Sequence, residues 1–73
     1  MKIILVRHGQ AEDETRPDSA RQLTDFGQQQ AAQTAEYVTT YYSPDRFVVS
    51  PYTRARQTLS AFQSRAPQVA SSV

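Results

Sequence analysis

The chain has 73 residues, a formal net charge of +1, no cysteine and a single histidine. This length fits one small domain or a piece of a larger one, and the near-neutral balance argues against a dedicated nucleic-acid binder. A disulfide framework and the usual multi-histidine zinc sites are excluded. Because no stretch approaches the ~20 apolar residues that cross a bilayer, we expect no membrane association and a soluble, cytoplasmic protein.

A short apolar run opens the chain. The branched residues from Lys2 to Val6 predict a strand that is buried on both faces, as in a parallel sheet, and Gly9 ends it. From Gln10 to Gln22 the chain is polar and is interrupted by Pro17, which predicts a loop. Loops of this length are often functional.

A first helix is expected after this loop. Thr24 is suited to cap it, and Asp25 places negative charge in its first turn. Gly27 in that turn costs helix stability, which predicts a close approach of another backbone segment. Ser43-Pro44-Asp45 should end the helix. Its apolar stripe at helical spacing consists of Ala31, Ala35, Val38 and Tyr42.

A second strand and a second helix follow. Phe47 to Val49 reads as another buried strand, and Ser50-Pro51 predicts a helix with a serine cap and proline at its first position. Pro67 should end that helix, and the remaining tail carries no predicted element. The expected buried stripe of the second helix consists of Tyr52, Ala55, Leu59 and Phe62.

The order strand, helix, strand, helix predicts an α/β fold with parallel strands. In such sheets, ligands bind at the carboxyl ends of the strands. Arg7-His8-Gly9 follows the first strand and Ser50 to Arg54 follows the second. We therefore expect these two clusters to meet in one crevice.

The residue types in these clusters suit a phosphoryl group. Arginine offers a rigid fork of donors that matches phosphate oxygens, so Arg7 and Arg54 could bind phosphate. Their charge disfavours the imidazolium form of His8, and a neutral imidazole is a nucleophile. This scheme needs no metal and no other cofactor. Each residue alone has a plainer interpretation: a structural histidine at a strand end, or a solvated helix arginine.

Three ordered motifs strengthen the functional interpretation. Val6-Arg7-His8-Gly9 resembles the Arg-His-Gly signature of the histidine phosphatase superfamily, whose members are phosphoglycerate-mutase-like. Leu23-Thr24-Asp25-Phe26-Gly27 resembles the Leu-Thr-x-x-Gly element of that family. Residues 49–58, Val-Ser-Pro-Tyr-Thr-Arg-Ala-Arg-Gln-Thr, resemble its second signature. The compact loop from Asp18 to Thr24 is most similar to the small bacterial phosphohistidine phosphatases of the SixA type.

The resemblance implies a three-layer α/β/α fold and assigns roles by position. His8 matches the family nucleophile, and Arg7 and Arg54 match its phosphate-binding arginines. Arg21 is a further candidate for substrate contact, with an ion pair to a loop carboxylate such as Asp18 as the alternative. The implied activity removes phosphate from a phosphorylated histidine protein, such as the phosphotransfer domain of a sensor kinase, through a phosphohistidine intermediate on His8.

The chain is short for this family. The resemblance implies that residues 1–73 are the N-terminal half of a single histidine phosphatase domain, its β-α-β-α portion. The second catalytic histidine and a strand between the two predicted strands would lie in the other half. The sequence is then either a shortened piece or is completed by a second chain or a swapped copy, and alone it should be a poor catalyst.

Two other functions stay open on the sequence. The protein could hydrolyse small phosphate esters, which require a general acid to protonate the leaving oxygen. It could also be a non-catalytic phosphate-binding module. The intact Arg7-His8-Gly9 argues against a module, because phosphate binding alone does not need the nucleophile.

Overall fold

Two helices and a short parallel strand pair make up the regular structure. The computed structural model describes residues 3–12 and 17–73. Its elements in chain order are a 3₁₀ turn at Asp18–Ala20, helix α1 at Asp25–Tyr41, strand β1 at Arg46–Val48, helix α2 at Thr53–Arg65 and strand β2 at Ala70–Ser72. β1 and β2 run parallel, and α2 makes the crossover between them. Neither α1 nor α2 is long and apolar enough to cross a membrane.

Local signals set both ends of α1. The Thr24 side chain caps the helix by accepting a hydrogen bond from the Gly27 N–H at 3.0 Å. Asp25 lies in the first turn, where a carboxylate favours the positive end of the helix. At the other end the Tyr42 N–H donates to the carbonyl of Val38. The predicted cap is confirmed, and the helix ends just before the predicted stop at Ser43.

The core lies between the two helices. Ala35 and Val38 on α1 pack with Phe62 on α2, and the Phe62 ring meets the ring of Phe47 edge-on at 5.7 Å between centroids. Aromatic rings favour this arrangement. The buried face of α1 is therefore as predicted, except at Tyr42. That residue and Tyr52 are exposed, and each caps a helix instead of lying within it.

The predicted first strand is wrong for the residues that the structure describes. Residues 3–10 form no regular element, and Lys2 lies outside the described residues. A strand is held by backbone hydrogen bonds to a neighbour, and the only partner that β1 has in the described sheet is β2. The apolar run is consequently open to solvent, with Ile3 75% and Leu5 91% exposed.

Three further predictions need correction. Helix α2 begins at Thr53 and not at Pro51, and Tyr52 caps it without a side-chain bond. The Ser50 hydroxyl instead accepts from the Tyr52 N–H at 3.3 Å, a local turn that competes with helix capping. Strand β1 starts one residue before the predicted Phe47. The tail, for which no element was predicted, forms β2.

Candidate active site

The His8 ring is held by two hydrogen bonds that fix its tautomer. Its Nδ1 lies 2.7 Å from the carbonyl oxygen of Gly9, and its Nε2 lies 3.1 Å from the Nε of Arg54. A carbonyl only accepts hydrogen bonds and a guanidinium only donates them. Nδ1 therefore carries the proton and Nε2 carries the lone pair, so the two contacts together describe a neutral imidazole.

Arg54 owes its position to the first turn of α2. Its guanidinium carbon lies 4.9 Å from the centroid of the Tyr52 ring, a cation–π contact. Its backbone carbonyl accepts a hydrogen bond of 2.8 Å from the hydroxyl of Thr58. This bond satisfies the one polar side chain that is buried among the described residues. Helix and aromatic ring together direct the arginine towards His8.

Two glycines let the first turn of α1 lie directly against the segment that carries His8. A methyl group on Gly9 would come within 2.6 Å of the Gly27 carbonyl oxygen and 2.7 Å of the Gln30 amide oxygen. A methyl group on Gly27 would collide with the backbone of Gln10. The close backbone approach predicted at Gly27 is confirmed. It places helix α1 beside the histidine.

Hydrogen bonds to backbone and side-chain groups close this contact. The Gln10 N–H donates to the Gln30 amide oxygen at 2.7 Å, and the Thr24 N–H donates to the Gln10 carbonyl at 2.9 Å. A bridge between Ala11 and Leu23 continues the pairing in antiparallel sense. The expected loop is therefore partly ordered by pairing, and its residues 13–16 lie outside the described residues.

Arg21 faces the same region from the end of that loop. Its Nε donates to the Glu12 carbonyl at 2.8 Å, and its Nη2 donates to the same oxygen. The side chain of Asp18, the alternative partner suggested by the sequence, lies outside the described residues. The backbone contact with Glu12 holds the guanidinium of Arg21 at the edge of the site.

One cavity of about 640 Å³ collects the predicted residues: Arg7, His8, Arg21 and Arg54 all line it. The rest of its described wall is formed by Gly9, Gln10, Ala11, Phe26 and Gln30. Three guanidinium groups and no carboxylate line this wall, so the cavity suits an anion. Within residues 3–12 and 17–73, no cluster of histidine and acidic side chains could hold a metal ion.

Sequence reasoning did not find Phe26 and Gln30 as wall residues. They are four residues apart on α1, a spacing that puts side chains on the same helix face. The predicted close approach at Gly27 was the available signal, because any segment touching that turn must also face its neighbours. Gln57 was also missed: its amide oxygen accepts from the Leu23 N–H at 2.7 Å and ties α2 to the start of α1.

The chain is similar to known proteins of one family. Residues 3–71 match the model of the histidine phosphatase superfamily (branch 1). The chain is 39% identical over 64 residues to the phosphohistidine phosphatase SixA homolog of Haemophilus influenzae. That alignment covers 80% of this chain and 39% of the relative. The chain thus spans about two fifths of the length of this curated relative.

Solved structures show the same relation. A protein from Agrobacterium tumefaciens assigned to the SixA phosphohistidine phosphatases superposes with a TM-score of 0.82 at 27% identity, over 92% of this chain and 46% of that one. The protein histidine phosphatase SixA in complex with tungstate superposes with a TM-score of 0.76 at 30% identity, over 90% of this chain and 44% of that one. The predicted α/β, phosphoglycerate-mutase-like fold class is confirmed for the part of the fold that the chain covers.

Proposed function

Because the chain belongs to the histidine phosphatase superfamily (branch 1), we propose that its protein is a phosphohistidine phosphatase in which His8 accepts the phosphoryl group. The observation that carries this proposal is the pair of bonds to His8, which leave Nε2 unprotonated inside an arginine-lined cavity. We also propose that residues 1–73 form the N-terminal half of one domain, in keeping with the share of its relatives that the chain spans.

The first chemical step is attack of the His8 Nε2 lone pair on phosphorus. The Nε2–P bond forms while the P–N bond of the substrate breaks, and its electron pair leaves with the substrate imidazole, which takes a proton from solvent. The His8 ring becomes positively charged as it bonds to phosphorus. The Gly9 carbonyl, already 2.7 Å from Nδ1, stabilises this charge through a stronger hydrogen bond.

The arginines bind the phosphoryl oxygens in this scheme. Phosphoryl transfer depends mainly on positioning and on stabilising the charge of the equatorial oxygens. Arg54 begins in contact with His8 Nε2. A phosphate dianion is a stronger acceptor than that nitrogen, so Arg54 moves its hydrogen bond to an oxygen and frees the lone pair. Arg7 and Arg21, on the same cavity wall, contact the remaining oxygens.

The second step returns the enzyme to its starting state. A water molecule attacks the phosphorus of phospho-His8, the Nε2–P bond breaks, and its electron pair returns to Nε2. Hydrogen phosphate leaves with the oxygen of the water and one of its protons, and the other proton passes to solvent. Overall, phosphohistidine and water give histidine and phosphate.

The substrate we propose is a histidine-phosphorylated protein, such as the phosphotransfer domain of a sensor kinase. Two relatives are named as phosphohistidine phosphatases, and one SixA structure holds tungstate. Tungstate is a tetrahedral oxyanion like phosphate, which supports an oxyanion as the ligand that we propose here. A P–N bond also asks less of a general acid than an ester does, and no acidic side chain lines the described cavity wall.

Trapping the intermediate tests this function. The full-length protein is mixed with a ³²P-phosphohistidine protein and quenched in base, where phosphohistidine survives. We expect the wild-type phosphatase, separated from its substrate, to carry label and phosphate to be released. The His8→Ala variant should show neither label on the phosphatase nor released phosphate. Arg56→Ala, which changes an exposed arginine of α2 outside the cavity wall, should behave as the wild type. Undiminished phosphate release from His8→Ala would refute the mechanism.

Two further outcomes would replace the proposed function. Faster turnover of simple phosphomonoesters than of phosphohistidine would identify a phosphatase of small esters. Binding of phosphate or tungstate without any turnover would identify a phosphate-binding module.

A further inference from the structure

The cavity has a wall that the phosphoryl chemistry leaves unused. Phe26 and Gln30 both face the cavity from one side of α1, and neither is a cation that would bind phosphate. Phe26 is 57% exposed and is the one large apolar side chain among the described lining residues. An exposed phenyl ring beside three guanidinium groups offers a flat surface to something other than the phosphate.

We propose that Phe26 and Gln30 form the subsite for the leaving group and select an imidazole ring, so that they set the specificity for phosphohistidine. This inference rests on the proposed function and deepens it. Phe26 stacks on the ring, since aromatic pairs gain energy beyond their buried area. Gln30 donates a hydrogen bond to the ring nitrogen that does not carry phosphorus.

The orientation of the Gln30 amide supports its role as a donor. The Gln10 N–H lies 2.7 Å from one end of this amide, and an N–H requires an acceptor. That end is therefore the oxygen, and the NH₂ group is the other end. In a neutral N-phosphoimidazole the second ring nitrogen has a lone pair and needs a donor. The bond from Gln10 thus engages the amide oxygen and leaves the NH₂ group of Gln30 as the donor for this nitrogen.

The two side chains also lie near His8, as a subsite for the leaving group must. A methyl group on Gly9 would come within 2.7 Å of the Gln30 oxygen, so the amide lies beside the residue next to the nucleophile. Phe26 lies one turn earlier on the same helix face. Phosphoramidate lacks a planar ring and gains nothing from either side chain.

Two substrates, one with an imidazole leaving group and one without a ring, distinguish the effect of this subsite from the effect of the phosphate site. N-phosphoimidazole and phosphoramidate both carry a P–N bond, and the readout is the ratio of their kcat/KM values in the full-length protein. Phe26→Leu should lower the ratio about 2- to 10-fold by removing the stacking, and Phe26→Tyr should keep it. Gln30→Glu keeps an acceptor oxygen for the Gln10 N–H but replaces the NH₂ donor by a second acceptor oxygen. This change should lower the ratio about 5- to 100-fold.

The matched control for the added charge is Gln29→Glu, because Gln29 is exposed on α1 and does not line the cavity. It should leave the ratio unchanged. An equal loss for both substrates in Phe26→Leu and Gln30→Glu, or no loss for either, would overturn the subsite. If the wild type turns over neither substrate, the proposed function fails. The subsite is then still decided by NMR titration, which measures whether Phe26→Leu weakens N-phosphoimidazole binding more than phosphoramidate binding.

Discussion

Replacing Gly27 with alanine should destabilise the protein, although the same change normally stabilises a helix. Gly27 lies in the first turn of α1, and an alanine there would favour the helix by about 1 kcal/mol if the site were open. The added methyl group would instead collide with the carbonyl oxygen of Gln10 and lie 2.9 and 3.0 Å from its carbonyl carbon and nitrogen. These are backbone atoms, so no rotamer change relieves the contact.

The size of the effect follows from what must move. Forcing a methyl group into a packed contact costs about 1–3 kcal/mol. Displacing Gln10 also weakens its bonds to the Thr24 N–H and to Gln30, each worth about 0.5–1.5 kcal/mol. After the gain in helix propensity, we expect the free energy of unfolding to fall by about 2–4 kcal/mol.

Urea denaturation followed by circular dichroism measures this change. Ala32→Gly is the internal reference, because Ala32 is exposed in the same helix and its replacement reports the local cost of glycine, about 1 kcal/mol. A Gly27→Ala variant that is more stable than the wild type by that amount would show that Gln10 does not press on the helix. The account of how α1 is docked would then be wrong.

Two other variants test the site and its support. Arg54→Ala should weaken tungstate binding, measured by isothermal titration, about 10- to 100-fold, because charge-assisted bonds contribute about 1.5–3 kcal/mol. The control Arg56→Ala should change tungstate binding less than 2-fold. Equal effects of the two variants would mean that only overall charge matters. Gln57→Leu removes the acceptor of the Leu23 N–H. Because Leu23 is only 6% exposed, the loss of this acceptor should lower the free energy of unfolding by about 1–3 kcal/mol. Gln63→Leu, exposed on the same helix, should stay within about 0.5 kcal/mol of the wild type in the same denaturation assay.

Predictions from the sequence succeeded where the cause is local. The Thr24 cap needs only a hydroxyl and an N–H three residues later, and both belong to one short segment. The unusual glycine in the first turn of α1 was predicted to mark a close approach, and Gln10 is the segment that approaches. In both cases the residue type has one dominant physical explanation, so the sequence was sufficient.

Predictions failed where an element depends on a distant partner. The run Ile3 to Val6 has the composition of a buried strand, but composition cannot supply the neighbouring backbone that makes a strand. The opposite error occurred at Ala70 to Ser72. These small residues carry weak strand preference, yet they pair with β1 because α2 returns the chain alongside it. Pairing, which is non-local, decided both cases.

The candidate site was predicted in its members and not in its construction. The meeting of His8 and Arg54 was expected because both follow the carboxyl ends of predicted parallel strands, and the residues do meet. In the described residues they are brought together by other means: Gly9 and Gly27 let α1 rest on the His8 segment, and the Tyr52 ring supports Arg54. The roles of these residues in catalysis stay predictions that the trapping experiment decides.

The tautomer of His8 shows why side-chain identity alone underdetermines the chemistry. The residue types around the His8 ring leave open which of its nitrogens holds the proton. The Gly9 carbonyl answers it, because an acceptor at Nδ1 requires a proton there and leaves the lone pair on Nε2, the atom that we propose attacks phosphorus. In the proposed mechanism Arg54 has two tasks: its hydrogen bond orients Nε2 before phosphate arrives, and it binds a phosphate oxygen afterwards. An arginine that stayed on Nε2 would block attack, so the exchange of this hydrogen bond is the step on which the proposed mechanism depends.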